Sequence, residues 1–521
     1  MLLVNLWAIQ NDAKLWEEPN ELKPERFIDF KGRRDGFRLM PFGYGRRGCP
    51  GENLAMHVAG LALGSLIQCF EWERISEELV DMTGGPGLTM PKAIPWLAKC
   101  KPRQNIDNLL AHLVLAGKHL GYNYTNLVWA SYGRHWRNLR QIAILEILST
   151  RVQMFADIRR GEVHALLQRL VRGTTNGGHS HTVDMKEALF EMTLNILMMM
   201  IAGKQYYGDS AEELEKSRRF KEIVTESFQL SGATNIGDFV PLLEWIGVNR
   251  LEDKVKLLKD KRDKFMQDLI EEHKNSKKGS SVEQKNNTMI DVLLSLQDSE
   301  PNYYTDEVIR GMSIVMLTAG TDTTASTMEW ALSLLLNNPE ALKKVQKEID
   351  THIGESSRLL DDSDLVQLPY LHGIINETLR MCPAAPILVP HESSDECVIG
   401  GFRVPRGTLL LVNLWAIQND FKLWEEPNDF KPERFIDFKG QRDGFRLMPF
   451  GYGKRGCPGE NLAMHVAGLA LGSLIQCFEW ERTSEEPVDM TGGPGLTMPK
   501  AIPLLAKCRP RQNIDNLLAQ L

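Results

Sequence analysis

Along the second half of the chain's first three hundred residues, apolar side chains recur at steps of three and four, the spacing that lines one face of an α-helix. This pattern predicts helices over residues 149–172, 183–203, 211–230 and 251–274, the last with Lys and Asp/Glu along its outer face. Residues 277–287 (KKGSSVEQKNN) lose the period and carry Gly and Ser, so a loop is expected there. The longest helical pattern covers 305–338 and stops before Pro339. Further helices are expected over 371–381 and 460–478. Strand-like runs are short and late: 397–404, with Gly400-Gly401 as its turn, and 408–415. The set predicts a mainly α protein with small β-sheets.

One feature overrides local patterning. Residues 1–113 repeat residues 409–521 without a gap, and eleven positions differ, among them Ala13/Phe421, Arg33/Gln441, Arg46/Lys454, Leu79/Pro487 and Trp96/Leu504. Stacked repeats have periods of about 20–50 residues; here two long copies stand at opposite ends of the chain. A tandem gene duplication whose neighbours were joined accounts for this, and a protein with two working copies is the alternative. The first copy runs through Asn108-Leu109-Leu110-Ala111-His112-Leu113 directly into Val114, with no linker composition between.

The repeat changes how cysteine is read. Six of the eight cysteines form the pairs Cys49/Cys457, Cys69/Cys477 and Cys100/Cys508 across the copies, leaving only Cys382 and Cys397 outside. The even number is therefore a product of duplication, and a reduced compartment fits best. With 43% apolar and 25% charged residues, the 521-residue chain can bury a sizeable core. Its net charge of -7 argues against nucleic acid as a partner. No apolar run approaches the roughly 20 residues of a bilayer span, so no membrane anchor is expected.

The strongest chemical signal is Phe450-Gly-Tyr-Gly-Lys-Arg-Gly-Cys-Pro-Gly459. A thiolate that ligates iron needs a loop whose backbone N–H groups approach the sulfur, and glycines allow that approach. The helix expected after Gly459 turns its N-terminus to the anion, and Arg455 can neutralise an acidic group of the ligand. A buried structural cysteine is the bland alternative. Glu377 and Arg380 lie three apart on one helix face, and Pro432-Glu-Arg-Phe435 can bring Arg434 to the same carboxylate. Ala319-Gly-Thr-Asp-Thr-Thr324 puts an acid, three alcohols and a glycine into an apolar helix, which suggests a groove for a small ligand and a proton relay. Trp136 and Arg140 stand one helical turn apart.

Taken in order, these motifs resemble the cytochrome P-450 family, and their surroundings are similar to plant isoflavone and flavonoid hydroxylases of the isoflavone 2'-hydroxylase type. The stretches that carry the likeness are 120–125 (LGYNYT), 129–139 (WASYGRHWRNL), 389–393 (VPHES) and 411–420 (LVNLWAIQND). The resemblance implies a cytochrome P-450 fold, N-terminally incomplete, with 114–521 as catalytic domain and 1–113 as a displaced duplicate of the C-terminal haem-loop module. It implies haem b with Cys457 as axial thiolate (Cys49 being its duplicate) and Asp322 and Thr323 as the acid–alcohol pair. Trp136, Arg140, His391, Phe450, Arg455 and Gly459 would hold the cofactor; Glu377, Arg380 and Arg434 would form a structural triad. Substrate contact would come from Ala319, Thr323, Ala385, Ile387, Leu388, Leu496 and Thr497, and from the region around Phe228 to Asn235. The implied reaction inserts one oxygen atom from O2 into a C–H bond of a small hydrophobic aromatic molecule. Electrons would come from NADPH through a cytochrome reductase docked near Lys439, Arg442 and Lys454, on the cytosolic face of the endoplasmic reticulum. Family members carry an anchor, a proline-rich hinge, a first helix pair and two strands before the Gly117-Lys118 region, and none of these is recognisable here. Two consequences are expected: the small sheet containing 408–415 loses partner strands, and the apolar segment 52–70 of the first copy lacks a core to cover it. A merely haem-binding or inactive product of fused tandem genes is the alternative, as is a thiolate-haem enzyme that rearranges peroxides, which the Asp322-Thr323 pair argues against.

Overall fold

Several helices of this protein start where a side-chain oxygen takes up an N–H group that the first turn leaves free. Asp184 accepts from the N–H of Glu187, Thr305 accepts from that of Val308, and Thr288 and Asp291 cap each other reciprocally. The computed structural model describes residues 9–10, 12–15, 17–19, 21–24, 70–74, 98–102, 116–148, 154–177, 181–205, 211–232, 250–279, 288–354, 358–436, 446–493 and 497–511.

The chain divides into two compact units, Met1–Leu109 and Leu110–Leu521. In the first, β1 (Phe70–Arg74) and β2 (Ala98–Pro102) pair antiparallel, with Phe70 opposite Pro102 and Arg74 opposite Ala98. The second unit holds α1 (Arg134–Ala143), α2 (Ala156–Gly177), β3 (His181–Asp184), α3 (Met185–Ala202), α4 (Ala211–Gly232), α5 (Arg250–Gly279) and α6 (Met289–Ser299). The long α7 (Asp306–Asn337) follows, then α8 (Pro339–Ile353) and α9 (Pro369–Met381). After these come β4 (His391–Glu392), β5 (Cys397–Ile399), β6 (Phe402–Val404), β7 (Leu409–Leu410), α10 (Leu414–Gln418), α11 (Glu460–Cys477), β8 (Phe478–Arg482) and β9 (Leu505–Pro510).

α7 is the axis of this unit. It is buried over most of Ile309 to Leu317 and again over Thr324 to Leu336, and it packs against α3, α9, α11 and α5. α3 presses on it at Gly320, where an added Cβ would stand 2.8 Å from a methyl carbon of Leu197. The glycine that costs helix propensity thus gains a tighter helix crossing. Several hydroxyls of α7 bond backward along their own helix. The hydroxyls of Thr321, Thr323 and Thr327 donate to the carbonyls of Leu317, Ala319 and Thr323 at 2.6, 2.6 and 2.8 Å.

The β3-β9-β8 sheet is antiparallel, with His181 opposite Cys508 and Phe478 opposite Pro510. β5 and β6 form a hairpin whose turn, Gly400-Gly401, has φ values of 58° and 87°, the positive pair that a two-residue turn of this hand requires.

The helices expected from periodicity are present with shifted ends. Residues 277–279, expected in a loop, continue α5; 280–287 lie outside the described residues. Of the strand expected over 408–415 only Leu409–Leu410 pairs, with β4. The run then turns into α10, because the Asn413 side chain accepts the N–H of Ala416 at 3.0 Å and caps a helix start. A continuous apolar run does not by itself separate a buried strand from a short helix. The segment 52–69 lies outside the described residues. Among the described residues no helix is long and apolar enough to cross a membrane.

Candidate active site

The loop before α11 is closed by its own backbone. Gly451 and Gly453 have φ of 69° and 74°, left-handed values that suit glycine. The turn they permit lets the N–H of Cys457 donate to the carbonyl of Phe450 at 2.7 Å, and that of Gly456 to Gly453 at 3.0 Å. Gly459 then ends the loop, and its carbonyl accepts the first helical N–H, from Ala463, at 2.9 Å. The Cys457 sulfur therefore stands before the N-terminus of α11. Cys457 is an exposed residue, yet protein atoms crowd its thiol. That crowding raises the thiol pKa above its ordinary value. The N–H groups of Gly459 and Glu460 and the charge of Arg140 act in the opposite sense, while the Glu460 carboxylate adds to the rise. A Cβ at Gly459 would touch the sulfur at 3.7 Å.

Two arginines gather around Trp136 beside this loop. The Arg140 guanidinium donates to the Gly456 carbonyl and that of Arg455 to the Ala130 carbonyl, both at 2.7 Å. They stand 5.4 and 4.8 Å from the indole of Trp136, whose own N–H is taken by the Leu127 carbonyl at 3.2 Å. Among the described residues neither arginine has a carboxylate partner. Burial lowers both pKa values, and for Arg455 the neighbouring Arg140 lowers it further. Two partly buried like charges held together favour an anion between or beside them. His391, expected in the same group, bonds through Nδ1 to its neighbour Val389 at 2.7 Å. Among the described residues no hydrogen bond ties it to the cysteine loop.

A second cluster forms at the middle of α7. Here the buried helix opens to solvent at Thr318 to Gly320 and at Asp322 and Thr323. Asp322 accepts a hydrogen bond from the Thr497 hydroxyl at 3.3 Å. Burial raises the Asp322 pKa, opposed by the charge of Lys186 and by the Thr497 bond. The next residue, Met498, receives the indole N–H of Trp330 at 2.9 Å and donates its own N–H to Ala384 at 3.0 Å. These bonds tie α7, residues 497–498 and the segment with Ala385, Ile387 and Leu388 into one wall. That segment is tightly turned: the N–H of Leu388 bonds to Ala385 at 3.0 Å, and Leu388 has φ of 53°, strained for a branched residue. Ile387 is 40% exposed. Leu496, the side chain of Phe228, residues 233–235, Lys439, Arg442 and Cys49 lie outside the described residues. Lys454 is exposed, its ammonium 4.9 Å from the Tyr132 ring centroid.

Behind the loop, Glu377 and Arg380 are fully buried and joined by two bonds of 2.7 and 2.9 Å. Arg434 reaches Glu377 at 3.3 Å, and the N–H of Lys431 donates to the same oxygen at 3.0 Å. The remaining Arg380 donors go to the carbonyls of Gln418 and Pro427 at 2.9 and 2.8 Å. Sequence reasoning missed Gln418. Fully buried, it donates to the Leu379 and Arg380 carbonyls at 2.9 and 3.1 Å and accepts the N–H of Met448 at 3.1 Å. It thereby joins the end of α9 to the approach of the cysteine loop. Its only sequence signal was a polar residue in an otherwise apolar turn of α10.

The donor chemistry suits a prosthetic group that brings its own ligands and its own negative charge. Among the described residues no cluster of three or more His, Cys, Asp or Glu could hold a bare metal ion. What is present is one thiol at a helix N-terminus flanked by two arginines that lack carboxylates.

The comparisons agree with this arrangement. The cytochrome P-450 family pattern matches residues 1–94 and 112–505. Cytochrome P-450 81Q32 of Catharanthus roseus is 44% identical over 490 residues, covering 93% of this chain and 96% of that protein. An isoflavone 2'-hydroxylase of Glycyrrhiza echinata is 46% identical over 78% of this chain and 80% of its own length. An isoflavone 3'-hydroxylase of Medicago truncatula is 47% identical over 82% and 84%. Among solved structures, a zebrafish cytochrome P-450 studied with abiraterone matches with a TM-score of 0.62 at 24% identity, over 78% of this chain and 87% of that one, and supports the fold.

Proposed function

This chain belongs to the cytochrome P-450 monooxygenase family, and on that premise we propose that it inserts one oxygen atom from O2 into a C–H bond of a small aromatic, isoflavonoid- or flavonoid-like substrate. The observation that carries the reading is the Cys457 sulfur at the N-terminus of α11, with Arg140 and Arg455 beside it. In this reading haem b would be held by the Cys457 thiolate and by Arg140 and Arg455, which would neutralise its carboxylates, with Trp136, Phe450 and His391 as further contacts. When bound, haem supplies the activation of dioxygen, using electrons delivered from NADPH through a reductase.

The protein's part is to bind, orient and supply protons. The N–H groups of Gly459 and Glu460 stabilise charge on the Cys457 sulfur. Asp322 holds a proton to higher pH than an ordinary carboxyl, because burial disfavours its charged form. Thr323, the next residue, carries its hydroxyl on the open stretch of α7, and its present bond to Ala319 breaks by rotation about χ1. Asp322, through its carboxyl, and Thr323, through its hydroxyl, would each present a proton at this open stretch of α7. Ala319, Ala385, Ile387, Leu388, Leu496 and Thr497 would offer a mostly apolar wall to a flat aromatic substrate. Lys454 would meet an acidic reductase, on the cytosolic face of the endoplasmic reticulum where the family's reductase-driven members work.

The test is the carbon monoxide difference spectrum of the reduced chain, followed by turnover of isoflavones with a reductase. The parent should show the thiolate signature and Cys457→Ala should not. Thr323→Ala should keep the signature but waste NADPH, lowering product per NADPH by roughly tenfold. No signature in the parent, or unchanged coupling in Thr323→Ala, would overturn the reading.

A further inference from the structure

Where residues of the first unit are described, they repeat local features of their counterparts in the second. Glu18 and its counterpart Glu426 share a left-handed backbone, with φ of 47° and 45°. Lys23 pairs with Glu18 as Lys431 pairs with Glu426. The N–H of Leu15 bonds to Asp12, and that of Leu423 to Asp420, both at 2.9 Å. The β1–β2 register, Phe70 opposite Pro102, is that of β8–β9, Phe478 opposite Pro510.

Two described positions differ from their counterparts in surroundings. Gln418 donates to two carbonyls of α9, whereas the amide nitrogen of its counterpart Gln10 is shut off from solvent without a hydrogen-bond partner. Phe430 packs on the core, whereas its counterpart Leu22 is 93% exposed.

The eleven differences between the copies fall at Met1/Leu409, Ala13/Phe421, Glu21/Asp429, Leu22/Phe430, Arg33/Gln441, Arg46/Lys454, Ile75/Thr483, Leu79/Pro487, Trp96/Leu504, Lys101/Arg509 and His112/Gln520. Positions 441 and 520 lie outside the described residues. Phe421, Asp429, Lys454, Thr483, Pro487 and Arg509 are exposed, and Leu409 and Phe430 are half-buried. Among the described positions only Leu504 is fully buried, at 2% exposure. It is also clamped. Its N–H donates to the Glu329 carboxylate on α7 at 2.8 Å, and its carbonyl accepts the N–H of Met185, the first residue of α3, at 2.9 Å. Met185 and Glu329 are themselves completely buried.

We propose that Trp96, standing where the core receives Leu504, bars the first module from the seat of the second, so that Cys457 and not Cys49 serves the cofactor. A larger side chain at a clamped, close-packed position has no backbone freedom with which to move away. At the half-buried positions Met1 and Leu22 are no bulkier than Leu409 and Phe430, and the exposed differences meet no packed neighbours, so among the described positions overpacking is confined to that of Leu504. The assignment of the cysteine rests on the haem-thiolate reading above; the steric part does not.

The test uses full-length chains and two readouts: the thiolate signature with its haem-to-chain ratio, and the melting temperature of the haem-free protein. Cys457→Ala should lose the signature. Adding Trp96→Leu should restore it by roughly tenfold or more over that variant, since relieving such overpacking shifts an equilibrium by this order. Adding Cys49→Ala to the rescued chain should abolish it again. In the reverse direction, Leu504→Trp should lower the melting temperature of the haem-free chain. A signature that survives in Cys457→Ala and disappears with Cys49→Ala would overturn the proposal, because Trp96 would then be no barrier. So would failure of Trp96→Leu to restore the signature in a chain whose parent shows one. If the parent binds no haem, the functional reading fails instead, and a Leu504→Trp chain that melts like the parent then refutes the steric claim by itself.

Discussion

Glu377 shows how much a single buried residue can hold. One of its oxygens takes bonds from Arg380, Arg434 and the Lys431 N–H, so its charge is compensated where water does not reach. Glu377→Gln should leave Arg380 uncompensated and cost about 3–5 kcal/mol, measurable by denaturant unfolding. Gln418→Ala should cost about 1–3 kcal/mol by leaving the Leu379 carbonyl and the Met448 N–H unpaired. It should also lower haem retention, since Met448 precedes the cysteine loop. The two residues differ in legibility. Glu377 and Arg380 could be paired from their spacing alone, because helix geometry places them on one face. Gln418 could not, because its partners lie on α9 and near residue 448, and no local pattern announces them.

At the scale of elements, glycines separate packing from propensity. Gly161 on α2 has open space around the place of a Cβ, so Gly161→Ala should stabilise by up to about 1 kcal/mol. At Gly373 on α9 the Cβ would stand 2.5 Å from the carbonyl oxygen of Pro432, a backbone atom that cannot turn aside. Gly373→Ala should therefore destabilise by about 1–3 kcal/mol despite its better propensity. Thermal melts of the two variants should move in opposite directions. The N-terminus of α7 supplies a pH test. Burial raises the Asp306 pKa, but hydrogen bonds from Lys274, Gln297 and Gln267 outweigh it and bring the pKa down to about 2. A depressed carboxyl stabilises the fold fully above its unfolded pKa of about 3.9 and loses that contribution as pH falls through its folded pKa. Asp306→Asn should thus melt lower than the parent at pH 7, by roughly 1 kcal/mol given its partial exposure. The gap should close between about pH 4 and pH 2.

Across the molecule as a whole, the chain holds two compact units. In the second, β8 and β9 are joined by β3 and backed by α7 and α11. In the first, the described pair β1–β2 carries the same sequence pattern and register. If the first unit contributes nothing to the cofactor site, deleting residues 1–109 should leave the haem-to-chain ratio and the thiolate signature of the remainder unchanged. A fall of more than about twofold would assign that unit a role in the site.

Features that depend on near neighbours are written in the chain itself. Helical periods, the Gly-rich cysteine loop, the Glu377/Arg380 pair, the polar insertion in α7 and the duplicated module are all local patterns, and local backbone and side-chain geometry follows from them. The same turns and the same hairpin register arise in both copies because those features are encoded within a few residues. Features that depend on distant partners came from folding. It brought Thr497 to Asp322, closed Gln418 between α9 and the cysteine loop, spent the Trp136 N–H on Leu127, and turned the end of an expected strand into α10. It also gave one difference among eleven its weight: Leu504 and Trp96 are both ordinary apolar residues on paper. They become unequal only where α3 and α7 close around the position from both sides, since a close-packed interior is sensitive to volume in a way that a hydrophobic pattern is not.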